Sequence, residues 1–230
     1  MSKIADKLLG YIFSDISLGV IVPIIFGVLI LAFPTVIKDA LATIHVHAPP
    51  WLWGGTEIPL QHILTIGTAE AILTGGVPAV LGLIKGRWAG GASGFLCSML
   101  FTVSMAAYYG EWFVPTVDWL GVIVSGMLMG YITGALMERF ISRGHINFKW
   151  MLVATFVGAI VAVIFTTQTY LWFSPMFHMG IGEGPGMMSY WDAVGLAYFT
   201  YAAIYGVWAL LAVICAKVAY WYGVMPGPKA

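Results

Sequence analysis

Polar positions along the 230 residues fall in short clusters between long apolar runs. The runs cover roughly 18–36, 60–84, 88–109, 117–137, 150–173 and 193–222. Each is close to the length a helix needs to cross the hydrocarbon core of a bilayer, and the last is long enough to tilt or to extend past it. The pattern predicts an all-α, polytopic integral membrane protein of about six transmembrane helices, forming a single transmembrane domain over 1–230. Ahead of the first run, "MSKIADKLLGYIF" sets Ile4, Leu8, Leu9 and Ile12 on one helical face and turns Lys3, Asp6 and Lys7 away from it. That predicts an amphipathic helix lying at the membrane surface. No small-residue cleavage site follows a short apolar core, so this opening does not read as a signal peptide.

Composition fits a bilayer environment. The chain is 60% hydrophobic and 9% charged, with a mean hydropathy of +0.92, whereas charged residues make up about a quarter of soluble globular proteins. Its formal net charge is zero, so no nucleic-acid partner is expected; the expected partners are the lipid bilayer and other membrane subunits or further copies of the chain. With the N-terminus in the cytoplasm, every Lys and Arg except Lys38 falls on or near the inner side. This asymmetry points to a multi-pass protein of the cell membrane with both termini cytoplasmic. Cys97 and Cys215 lie inside apolar runs and read as small packing residues.

In that orientation the outer loops gather the scarce polar chemistry. The stretch "TIHVHAPPWLWGGTEIPLQHIL" carries His45, His47, Glu57 and His62, and "SPMFHMGIGEGPGMM" carries Met176, His178, Met179 and Glu183. Residues two apart in an extended segment point the same way, so His45 with His47, and Met176 with His178, are candidate metal ligands. Imidazole with thioether suits copper, and imidazole with carboxylate also suits zinc, iron or nickel. A transition metal, copper first, is therefore the candidate cofactor. Trp51 and Trp53 in "PPWLWGG" read as an interfacial aromatic anchor and as candidate ligand contacts. Fold-back of the prolines and glycines between Glu57 and the two histidines is expected to bring these groups together, close to His62 or to the 176–183 segment.

A second polar feature lies inside a span. Glu70, in "LTIGTAEAILTGG", is about ten residues into the second run, and so roughly 15 Å below its outer end. An ionisable group at that depth is costly unless it faces a cavity or a partner, which makes it a candidate ligand-binding residue. Gly67 and Thr74 would share its helical face. Gln168, with Thr166, Thr167 and Thr169, forms a candidate partner cluster on the fifth run. No histidine pair suited to haem lies within the runs, and no phosphate-binding loop is present, so neither haem nor a nucleotide is expected. "GASG", with Ser93 at its centre, has no later in-span histidine to act as its base.

Small residues predict where helices meet. Gly90 and Gly94 in "WAGGASGFLCS", and Gly126, Gly130 and Gly134 further on, stand at small-xxx-small spacing and predict close packing of the third and fourth spans. "LGVIV" occurs at 18–22 and again at 120–124, compatible with a repeat of 15–109 in 117–222.

The six-span layout, with "GRWAGGASGFLCSMLF" followed by "GEWFVPTVDWLGVIVSGMLMGYITGALM", resembles the substrate-binding subunits of energy-coupling-factor transporters, although "GVIVPIIFGVLIL" lacks the alanine-rich docking motif usual on their first span. The same region, with "GGVPAVLGLIKGRW" before it, is similar to the A-type membrane chain of particulate methane and ammonia monooxygenases. The first resemblance implies a transport-related subunit that binds a small ligand or cation from its outer face within a larger complex, without catalysis of its own. The second implies a non-transporting membrane subunit of a copper-dependent enzyme.

Overall fold

A computed structural model describes residues 45–47, 57–59, 71–109, 116–143, 147–173 and 189–222, together with positions 21, 25 and 182. Those residues form a helical bundle and one short ribbon. The ribbon pairs β1 (His45–His47) antiparallel to β2 (Glu57–Pro59), and the chain then enters a π-helical turn, Ala71–Gly76. Five α-helices follow: α1 (Val77–Lys85), α2 (Arg87–Tyr109), α3 (Thr116–Ser142), α4 (Phe148–Phe173) and α5 (Tyr190–Trp221). They coincide with the second to sixth apolar runs. The first run, the N-terminal amphipathic segment and the 18–22 copy of "LGVIV" lie outside the described residues, apart from Ile21 and Ile25.

Three of the helices, over Leu120–Ser142, Phe148–Trp172 and Tyr190–Trp221, are long and apolar enough to cross a membrane. Their outward surfaces are what lipid requires. Val153, Val157, Ile160 and Ile164 expose one stripe of α4, and Phe199, Val207, Leu210, Ile214 and Val218 expose one of α5. Exposed aromatic side chains cluster at both ends: Trp172, Tyr190 and Trp191 at one, Trp88, Trp221 and Tyr222 at the other. Along α5 the two belts are about 45 Å apart by helical rise, which matches a bilayer including its headgroup layers.

The second apolar run is not a plain helix at this point. Pro78 sits in the first turn of α1, where no backbone N–H is required, and the chain before it takes the wider π register. This π-to-α segment is the best-enclosed part of the bundle. Leu73, Thr74, Val77, Ala79, Leu81 and Leu83 are all buried, with α2, α3 and α5 packed around them. It ends at Gly86, whose φ of 94° and ψ of −174° suit glycine almost alone. A single residue thus reverses the chain between α1 and α2.

Helices α2 and α3 meet backbone to backbone, as the glycine spacing predicts. A methyl group added at Gly94 would run into the Gly126 carbonyl, and one added at Gly90 or Gly130 would run into the other's backbone. Helix α1 joins the same junction, since a methyl on Gly82 would lie 2.6 Å from the Gly130 carbonyl oxygen. No rotamer change relieves such contacts, because the obstructing atoms are main chain. Farther along, α3 meets α4 through Gly121 against Thr169 and Gly158 against Thr133.

Side-chain caps start three of the helices. Ser189 accepts the Asp192 N–H at 3.2 Å and donates to its carboxylate at 2.6 Å, starting α5. Asn147 Oδ1 accepts the Trp150 N–H at 3.1 Å, starting α4. At α2 the cap comes from another helix: Glu138 of α3 accepts the Arg87 N–H at 2.8 Å, and its other carboxylate oxygen lies 3.4 Å from Arg87 Nε.

Candidate functional site

Opposite the glycine junction, the bundle is joined by polar side chains. Thr166 of α4 donates to Ser125 Oγ of α3, and Ser125 donates onward to the Gly121 carbonyl at 2.6 Å. Tyr205 OH of α5 lies 3.4 Å from Thr166 Oγ1. A chain of hydroxyl groups thereby crosses three helices, and all of its side chains are buried. Nearer the Trp172–Trp191 end, Gln168 Nε2 donates to Tyr198 OH at 2.6 Å, and the rings of Tyr170 and Tyr201 meet edge to face at 6.1 Å.

The spacing of α5 explains its part in this seam. Tyr198, Tyr201 and Tyr205 stand at i, i+3 and i+7 in "YFTYAAIY", so one helical face presents all three. Tyr198 and Tyr201 pack against the cluster formed by Ala79, Met129, Ala162, Tyr205 and Ala209. The seam therefore runs from the Trp172–Trp191 end of the α4–α5 interface to the middle of the bundle. At its deep end the π-helical turn comes close: a methyl on Gly75 would lie 3.6 Å from the Tyr205 ring, and the neighbouring Thr74 is completely buried.

Sequence reasoning selected Thr74, Thr166, Thr167 and Gln168, and the structure puts all four on the bundle interior or its partly buried margin. It does not make them one cluster. Thr166 turns to α3 and Tyr205, Gln168 to Tyr198, and Thr169 bonds back to the Phe165 carbonyl while packing on Gly121. Thr167 Oγ1 is buried without a hydrogen-bond partner among the described residues. Ser125, Tyr198 and Tyr205 were not singled out from the sequence. The signal that would have found them is the tyrosine spacing on α5 and the small-residue register of α3.

All the groups bonded in this seam are neutral and oxygen-rich. Hydroxyl groups both donate and accept, and the amide of Gln168 offers one oxygen and two N–H groups. Such a lining can coordinate a desolvated cation through oxygen or hydrogen-bond a small polar molecule. None of these bonded groups carries a formal charge, and Glu70, which immediately precedes the π-helical turn in sequence, lies outside the described residues.

The candidates in the 45–62 and 176–183 segments are only partly described. The ribbon register opposes His47 to Glu57 and His45 to Pro59, so the chain does fold back between these segments. Directly opposed positions in an antiparallel pair share one face of the ribbon. Trp51, Trp53, His62, Met176, His178, Met179 and Glu183 lie outside the described residues. The ribbon is described by its backbone pairing alone, and among the residues whose side chains are described no group of three or more His, Cys, Asp or Glu is placed to hold a metal.

Comparison with known protein families, with curated proteins and with solved structures finds no match to this chain.

Proposed function

We propose that the protein is a transport-related subunit of a membrane complex, one that admits a small polar ligand or a cation into the seam between α3, α4 and α5. The supporting observation is the buried Tyr205–Thr166–Ser125 chain, with Gln168 and Tyr198 on its approach. In a bilayer, polar side chains inside a bundle persist where they line a substrate path or join helices. The adjacent π-helical turn favours the first role, because such irregularities concentrate at functional sites. Glu70 supplies the charge, and the basic residues face the cytoplasm.

The test is flux. Protein reconstituted in liposomes is loaded against a panel of monovalent cations, divalent cations and small neutral solutes. The wild type should pass or retain one class, while Glu70→Gln and Gln168→Leu should lose it by about tenfold or more with the helical fold intact. Equal flux or binding in wild type and both variants removes the reading. Orientation has its own check: cysteines placed at Thr56 and at Ser142 should react with an impermeant thiol reagent from opposite sides, and reaction from one side would overturn it.

The register of the ribbon favours a second role for this chain's outer surface, a transition-metal site built on His45, His47 and Glu57. Imidazole and carboxylate donors accept copper or zinc. Bound metal should be lost in the double variant His45→Ala with His47→Ala, and affinity should fall as pH drops through the histidine range near about 6.5. Unchanged metal content in the double variant would exclude the site.

A further inference from the structure

The charges of the bundle are divided by end. Leu83 and Ile84 of α1, Met137 and Phe140 of α3, Met151 of α4 and Val213 and Ala216 of α5 share one apolar cluster, so the segments beyond them emerge together. At that end stand Lys85, Arg87, Arg139, Arg143, Lys149 and Lys217. The acid described there is Glu138, and it is taken up by the Arg87 side chain and the α2 N-terminus. Arg139, Arg143 and Lys149 are exposed, and none has an ion-pair partner among the described residues.

An aromatic belt marks the depth of this end of the bundle. Lys217 Nζ lies 5.4 Å from the Tyr220 ring centre and 5.9 Å from that of Trp221, and the Arg87 guanidinium lies 5.8 Å from the Trp88 ring. These rings mark the headgroup level. Around the turn from α3 to α4, the three exposed cations flank Phe140 and Trp150 in sequence, whose mutually tilted rings have centres 4.6 Å apart. An exposed cationic rim above an aromatic shelf matches a phospholipid with an anionic head and an apolar body.

We infer that this end of the bundle binds anionic phospholipid headgroups, with Arg139, Arg143 and Lys149 as the contacts that select charge. Sidedness alone would orient the protein during insertion; three exposed cations at this end, without ion-pair partners among the described residues, also attract anionic lipid in the finished structure. The inference stands apart from the proposed transport role, because none of these residues belongs to the polar seam.

The test uses the full chain, delipidated in detergent and equilibrated with vesicles of phosphatidylcholine alone or mixed with phosphatidylglycerol. Lipid retained by the purified protein is read by native mass spectrometry. The wild type should retain phosphatidylglycerol preferentially. The triple variant Arg139→Gln, Arg143→Gln, Lys149→Gln should retain about tenfold less, and Arg143→Gln alone should lose a smaller share should the triple variant fail to fold. Arg139→Lys with Arg143→Lys should keep the preference. A wild type without preference, a folded triple variant or an Arg143→Gln variant that retains as much phosphatidylglycerol as wild type, or displacement of the lipid by inorganic phosphate alone would each overturn the inference.

Discussion

The two faces of α3 are built on opposite principles. Toward α1 and α2 it offers Gly126, Gly130 and Gly134, and the helices touch through main chain. Toward α4 and α5 it offers Ser125, and the helices are bridged by hydroxyl groups. The first face leaves no room for anything to enter. The second consists of groups that can exchange one hydrogen-bond partner for another. Bilayer helices gain little from burying apolar surface against one another, so close approach and hydrogen bonding are the available means of association. Main-chain contact dominates on the α1–α2 side of this helix, whereas the α4–α5 side adds interhelical hydrogen bonds to its own close contacts at Gly121 and Gly158. The hydrogen-bonded side is the one we propose to admit a ligand.

The sharpest way to break this contrast is to put a side chain where backbone meets backbone. Gly130→Val should destabilise by about 3 kcal/mol or more, since the added atoms meet the Gly90 main chain, which has no rotamer to change. Thermal unfolding in detergent would show it, or the protein would fail to accumulate. A Gly130→Val protein as stable as wild type would mean that α2 and α3 are not in main-chain contact.

A smaller loss is expected at the edge of the same junction. Glu138→Ala removes the cap on α2 and the partner of Arg87, and should cost about 1 kcal/mol, as for an ordinary helix cap. Glu138→Gln keeps an oxygen for the Arg87 N–H and should recover part of that. The ion pair itself is roughly half exposed, so charge alone accounts for little.

Gly206 sharpens the comparison from the other side. A methyl there has nothing within 4 Å among the described residues, so Gly206→Ala should leave stability unchanged within about 1 kcal/mol or raise it through helix propensity. If Gly206→Ala and Gly130→Val were equally harmful, glycine content as such, and not close approach, would be responsible.

How much of this was legible in the sequence depends on the physics behind each element. Helices α2 to α5 follow from apolar runs of bilayer length. The contact of α2 with α3 follows from the spacing of Gly90, Gly94, Gly126 and Gly130, because a missing side chain has a direct geometric meaning. The π-helical turn at Ala71–Gly76 does not follow: Pro78 announces an irregularity in "TGGVP" but not its register, and a plain α-helix was expected. The capping of α2 by Glu138 was also unreadable, since it joins residues 51 apart whose meeting depends on how three helices assemble. Gln168 and Thr166 were recognised as scarce polar groups in a span, yet their partners Tyr198, Tyr205 and Ser125 were not, because tyrosine and serine are common enough in such helices to look unremarked. The ribbon between His45–His47 and Glu57–Pro59 was anticipated only as a fold-back, without its register.

The central claim is that the hydroxyl seam serves a ligand and the glycine junction serves the fold. The direct measurement is unfolding midpoint and ligand flux taken together on Thr166→Val, in the same liposomes and with the same solute panel. Its side chain keeps the shape of threonine and loses the hydrogen bonds to Ser125 and Tyr205. The account predicts a stability change of about 1 kcal/mol, the usual scale for one interhelical hydrogen bond in a membrane, with flux or retention reduced about tenfold. Flux equal to wild type, or a stability loss as large as that of Gly130→Val with no separate effect on flux, would contradict it.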